Sequence, residues 1–211
     1  MLGIVVFHRM EMEMRTTDTK ERLIKAALDL FSENGYEGTS VDQIAKAVGI
    51  KTPSIYAHFK GKEELLGAVI DWSDEKYAKG MGLKEEAGKN VRTGKELKEY
   101  SLKLITFTLH NEISIRMRRL LNIEQYRNEM FAESATKHSI SNIKSLFTLV
   151  FKRMMDEGTM VRCNPEIAAL EFMAPVSLLI QLCDRAPDKE DEVMTTIEEH
   201  IDIFIERWIN T

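Results

Sequence analysis

The sequence predicts an all-α protein with a small N-terminal three-helix unit and a larger helical body. Three observations carry this. Only four prolines interrupt 211 residues. Apolar residues recur at helical spacing over long stretches. Capping pairs, a short polar residue three places before Glu or Gln, stand in front of several of those stretches. A hydrophobic share of 44% and a charged share of 30% are those of a globular chain with ample length for a core.

Residues 1–14, MLGIVVFHRMEMEM, lack a helical period. They are expected to be a disordered or non-native N-terminal extension, with Met14 as an alternative start. An arm that enters the minor groove through Arg9 and Arg15 is the other reading. Asp18 and Glu21 look like a capping box that opens a first helix running to Asn34. Ile24, Ala27, Leu28 and Phe31 form its single apolar stripe.

Ser40 and Gln43 form a second capping box, and Ile44, Ala45 and Val48 face inward from the helix it opens. Gly49 makes a turn. Thr52 reads as the N-cap of a third helix with Pro53 at its first position. Ile55 and Phe59, four apart, would pin that helix to the core, leaving Thr52, Ser54, Tyr56 and His58 on its other faces. A fourth helix starts near Lys62, with Leu65, Leu66, Val69, Ile70 and Trp72 as its apolar residues. Four glycines between Gly80 and Gly94 mark a link.

Thr93 and Glu96 cap a helix that carries Leu97, Leu102, Leu104, Ile105 and Leu109. A shorter apolar segment spans Ile113 to Ile123. One long helix is expected from near Thr136 to Glu157, stopped by Gly158. Asn164 and Pro165 open a helix that is apolar nearly all round from Phe172 to Cys183. The last helix stripes Val193, Ile197, Ile201, Phe204 and Trp208, widened by Ile205 and Ile209. Surplus apolar surface on two consecutive helices predicts a subunit interface as well as a core.

Charge distribution says more than its sum. The net charge is −5, yet Gln43 to Lys62 holds four lysines and no acid. A short basic helix after a glycine turn is the geometry that enters a DNA major groove, and a local basic patch grips phosphate on an otherwise acidic protein.

Other chemistries find little support. Cys163 and Cys183 are too few for a disulfide framework and lack metal-ligand spacing, so they read as small hydrophobes in a reducing compartment, with a redox pair as the alternative. No His follows a Glu by three residues, and H-E-x-x-H is absent. GKNVRTGKE from Gly88 differs from a phosphate loop. Five residues separate its glycines, and Glu96 stands where a hydroxyl should hold magnesium. An enzyme, a metal and a cofactor are therefore not expected. The apolar run Ile4 to Phe7 falls far short of the about 20 residues that cross a bilayer. With no signal-peptide core either, a cytoplasmic protein is expected.

The stretch AALDLFSENGYEGTSVDQIAKAVGIKTPSIYAHFKGKEELL, within Thr19–Leu66, resembles the DNA-binding domain of the TetR/AcrR family of bacterial transcriptional regulators. Its Y-x-H-F-K-x-K-E core, Tyr56 to Glu63, is the most specific part. Gly61 departs mildly from the Asn, Ser or Asp often found there.

The resemblance implies a helix-turn-helix domain over residues 15–61 and a ligand-binding and dimerisation domain over 62–211. It implies phosphate contacts from Thr39 and Ser40, base-edge contacts from Lys51, Thr52, Pro53 and Ser54, and phosphate contacts from Tyr56, His58 and Lys62, with Lys60 in the same basic edge. It implies a homodimer built on the last two helices, through Leu178, Leu179, Leu182, Ile197, Ile201, Phe204, Ile205 and Trp208, bound to a palindromic operator. It also implies a cavity in the body for a small hydrophobic or aromatic inducer. Trp72, Phe107, His110, Met117, Tyr126, Met130, Phe147, Phe151 and Phe172 are the candidate lining, each more simply read as ordinary core. A repressor is the leading expectation. The alternative is the same fold without a small-molecule inducer, an activator or nucleoid-associated factor under a protein partner.

Overall fold

The computed structural model describes residues 2–81 and 88–210, with side chains from Asp18 onward. The backbone of residues 2–14 is helical, where a disordered or non-native extension is expected from the sequence, while the Arg9 and Arg15 arm falls outside the described side chains. Among the described residues the regular structure is helical: α1 (Leu2–Asn34), α2 (Val41–Val48), α3 (Thr52–Ile55), α4 (Lys62–Met81), α5 (Gly94–His110), α6 (Glu112–Glu124), α7 (Glu129–Thr136), α8 (Asn142–Asp156), α9 (Pro165–Arg185) and α10 (Glu190–Trp208). A π-helical turn, Lys137–Ser141, joins α7 to α8.

Several helix starts follow the capping chemistry of the sequence. Ser40 Oγ accepts the Gln43 N–H at 3.2 Å, and Gln43 Oε1 accepts the Ser40 N–H at 2.6 Å. Thr93 and Glu96 do the same for α5, and Asn164 caps α9. Asp18 does not cap: α1 runs continuously through it, so its amides already have intrahelical acceptors. At α3 the cap moves by one residue. Lys51 is the N-cap, Thr52 the first and Pro53 the second helical residue. Proline forfeits nothing there, because the first four amides of a helix lack intrahelical acceptors. The expected helix from Thr136 to Glu157 is instead the π turn followed by α8, with α7 added in front of it.

Two hydrophobic clusters organise the chain. The head cluster joins Leu23, Leu28 and Phe31 of α1, Ile44 and Val48 of α2, Ile55 and Phe59 around α3, and Leu65, Leu66 and Val69 of α4. It continues into Met117, Leu120 and Leu121 of α6 and Phe131 of α7. The body cluster gathers α5, α8, α9 and α10 around Phe147, Phe151, Phe172 and Phe204. Phe151 stacks on Phe204 at 5.2 Å and meets Phe172 edge-on at 5.4 Å. α4 belongs to both, since its first half packs in the head and Met81 packs in the body. Gly80 lets Phe107 lie against α4, where a Cβ would collide with the ring.

Among the described residues one helix, α9, is by length and composition apolar enough to cross a membrane. This departs from the expectation that no such segment exists. In the fold its Ala168, Ala169, Phe172, Met173 and Val176 are buried against neighbouring helices.

Candidate nucleic-acid interface and interior cavity

The end of α2, the turn and α3 form one protruding rim. Gly49 makes the turn at φ +78°, a conformation L side chains rarely adopt, and its N–H closes onto the Ala45 and Lys46 carbonyls. The Arg22 guanidinium donates to the Val48 carbonyl at 2.8 Å and fixes the end of α2 to α1. Ile55 and Phe59 are buried, as their spacing predicts. That burial turns the polar side of α3 outward: Lys51, Pro53, Ser54, Tyr56 and Lys60 are exposed, while Thr52 and His58 are half-buried.

Two expected contacts are placed differently. Thr39 is buried, and its hydroxyl donates to the Leu30 and Gly35 carbonyls at 3.1 and 2.9 Å. It ties off the end of α1, so its side chain is turned away from the rim. Ser40 remains exposed but is engaged as a cap. Lys62 is half-buried, with its ammonium 4.1 Å from the centre of the Tyr36 ring.

The rim is electrostatically uncompensated. Among the described residues, Lys46, Lys51, Lys60 and Lys62 pair with no carboxylate. Several cations of the body are paired instead: Lys98 with Asp202 at 2.7 Å, Lys137 with Asp74 at 2.8 Å, Lys144 with Glu166 at 2.7 Å and Arg118 with Asp184 at 2.7 Å. Unpaired cations around exposed aromatic and hydroxyl groups suit a phosphate backbone.

Inside the body, α4, α5, α6, the π turn, α8 and α9 line a partly open cavity of about 130 Å³. Three of the expected lining residues, Met117, Phe147 and Phe172, face it. The others do not. Trp72 and Met130 pack on the head cluster, with Lys25 and Lys76 over the Trp72 ring. Phe107 packs on Tyr77, and Phe151 is sealed in the aromatic stack. His110 lies outside, bound to Glu190 at 2.7 Å, and Tyr126 is 90% exposed. An aromatic or Met in a helical stripe shows that it is buried, not which void it borders.

The polar residues of the cavity region escaped the sequence reading. Arg118 donates from Nε and Nη2 to both Asp184 oxygens, at 2.8 and 2.7 Å, and from Nη1 to the Thr108 carbonyl at 2.6 Å. His138, on the π turn, donates from Nδ1 to the Ser134 carbonyl at 2.8 Å and from Nε2 to Asp74 on α4. Burial pulls the His138 pKa down, but Asp74 and the Ser134 carbonyl outweigh it and the pKa is raised. Burial likewise pushes Asp74 up, and its bonds to His138 and Lys137 bring it below the usual carboxylate value. Glu124, 1% exposed on α6, accepts the Tyr36 N–H at 3.0 Å and so joins the body to the turn after α1. No spacing signal marks these pairs, because their members lie 64 to 88 positions apart.

A three-helix head with an outward, unpaired basic rim, joined through α4 and by packing on α6 and α7 to a helical body with a cavity, defines a helix-turn-helix protein of the kind that docks on duplex DNA. Residues 23–69 match the family model for bacterial regulatory proteins, tetR family. The head thus carries the sequence signature of the TetR family's DNA-binding domain.

The chain is 50% identical over 46 residues to the biofilm operon icaADBC HTH-type negative transcriptional regulator IcaR of Staphylococcus epidermidis, a match spanning 22% of this chain and only 25% of that relative. It is 26% identical over 179 residues to the probable HTH-type transcriptional regulator YttP of Bacillus subtilis, covering 83% of this chain and 82% of that one. In fold it resembles a crystal structure of a TetR-family regulator from Mesorhizobium loti, with a TM-score of 0.75, 18% identity and coverage of 93% and 99%. SmeT, the repressor of the Stenotrophomonas maltophilia multidrug efflux pump SmeDEF, was also solved with triclosan. That complex gives a TM-score of 0.67 at 20% identity and 92% coverage of both chains.

Proposed function

We propose that this chain is a cytoplasmic transcriptional repressor that binds a palindromic operator as a homodimer and leaves it when a small, mainly apolar ligand enters the body. The observation that carries this reading is α4, which is core to the head at one end and wall to the cavity at the other. IcaR is named a negative regulator and SmeT a repressor, which supports the sign of regulation. The cavity favours ligand sensing over control by a protein partner alone.

Dimerisation would use the outer face of α9. Ile167, Leu170, Leu178 and Leu182 are exposed along it, and Ile203 of α10 is 63% exposed. Part of the expected interface is corrected. Ile197, Ile201 and Phe204 are buried within the protomer, so they form core instead. Leu179, Ile205 and Trp208 are half-buried against that core.

In the proposed cycle the ligand-free dimer presents two α3 helices about 34–36 Å apart, one turn of DNA. Ligand shifts α4 and with it the head. A nearly complete switch needs the ligand to prefer the released state by about 5.5 kcal/mol.

Footprinting on the DNA flanking the chain's own gene tests the reading. Protection of two half-sites one turn apart, lost in a Leu178→Glu, Leu182→Glu variant that runs as a monomer, is the expected result. Absence of protection at low salt, or undiminished protection by that monomer, would refute it.

A further inference from the structure

Two hydroxyls bordering the cavity make no hydrogen bond. Ser73 on α4 is 2% exposed and Ser101 on α5 is 1% exposed. Neither Oγ has a partner among the described residues. A helical Ser or Thr commonly satisfies itself on the carbonyl four residues back, as Thr108 does on Leu104 at 2.8 Å. Ser73 and Ser101 forgo that bond, and both line the cavity.

The charged groups that border the same space are occupied. Arg118 is held by both oxygens of Asp184, and His138 by Asp74. Among the described residues, an anion entering the cavity finds no unpaired cation, and a cation finds no unpaired carboxylate. The rest of the wall is largely apolar, with Leu104, Ile105, Met117 and Phe147 among it. At about 130 Å³ the space is close to that which holds a single benzene-sized ring.

We propose that the cavity is a subsite for an uncharged, one-ring-sized molecule whose hydroxyl or carbonyl group hydrogen-bonds Ser73 and Ser101. The proposal rests on the ligand-sensing reading above and specifies the ligand for it. Ser73 belongs to the helix that carries the head, so the bond that recognises the ligand also acts on α4.

The test uses the full chain and three probes: p-cresol, its near-isostere p-xylene, and benzoate. Calorimetry should show p-cresol binding up to about tenfold more tightly than p-xylene, with benzoate weakest. In a Ser73→Ala, Ser101→Ala variant that preference should vanish, while the ligand-free variant melts higher than the parent, because two unpaired buried hydroxyls are gone. Serines with a purely structural role would give the reverse: a lower melting temperature and an unchanged preference. Equal binding of p-cresol and p-xylene to the parent, or tightest binding of benzoate, overturns the proposal without touching ligand sensing, and needs no variant. Failure of all three probes to bind overturns both.

Discussion

The two halves of the molecule leave polar groups unpaired in opposite directions. In the head they point out: Lys46, Lys51 and Lys60 have no carboxylate partner among the described residues and stand at the surface. In the body they are buried: Ser73 and Ser101 lie unpaired against a cavity, while Arg118 and His138 there are bound to Asp184 and Asp74. An unpaired lysine in water costs almost nothing, because water solvates it. An unpaired hydroxyl in the core costs about 1–3 kcal/mol. The head can therefore hold a surface ready for a polyanion at no expense to its stability. The body gives up stability to keep its polar groups available.

That contrast predicts different responses to mutation. The largest concerns Arg118. Its truncation to Ala leaves Asp184 half-desolvated and alone, and should destabilise the fold by about 3 kcal/mol. Urea denaturation checks it, and an unchanged midpoint would break the comparison at its body end.

The head lysines should do the opposite. A Lys51→Ala, Lys60→Ala, Lys62→Ala variant should lose at most about 1 kcal/mol of stability, through the Lys62–Tyr36 contact. The slope of log affinity against log salt should fall by about 3. An unchanged slope would take these lysines off the DNA.

Thr39→Ala sharpens the boundary between the two kinds of group. Its inward hydroxyl predicts a stability loss of about 1 kcal/mol, as for a lost helix cap, with no change in salt slope. A slope reduced by one would restore Thr39 as a phosphate contact.

The smallest effect is in the pH profile. The His138 pKa is raised above 6.5 in the fold. Its contribution to stability is therefore complete below that value and is lost as pH rises through the raised value. Asp74 is lowered, so its share is present above its unfolded value and lost as pH falls. Thermal melts of the parent should decline by on the order of 2 °C on going from pH 6 to mildly alkaline conditions, and His138→Gln should flatten that decline.

The head was legible because its signals are local. Ser40 and Gln43 sit three apart and cap α2, and Ile55 and Phe59 sit four apart and share a buried face. Such neighbours on one turn interact whatever the remainder of the chain does. Even there, the Thr39 side chain could not be oriented from sequence, since its partners are carbonyls of the preceding helix and turn. In the body, apolar spacing found α5, α9 and α10 but not what each face meets. Ile197 and Leu178 are equally apolar, yet one is fully buried and the other 64% exposed. α7 is only eight residues long and begins just after Arg127 and Asn128, so it carried no long stripe to reveal it.

By itself the sequence determined the helical class, the capped starts, the turn at Gly49 and the basic edge of α3, because each follows from residues within a turn or two of one another. The tertiary structure alone decided which apolar faces are core, where a void remains, and that Asp74, Arg118 and Glu124 are held by partners far away in the chain. Those outcomes depend on how whole helices pack, and hydrophobic burial, being non-directional, leaves no mark of the partner in the residue that is buried.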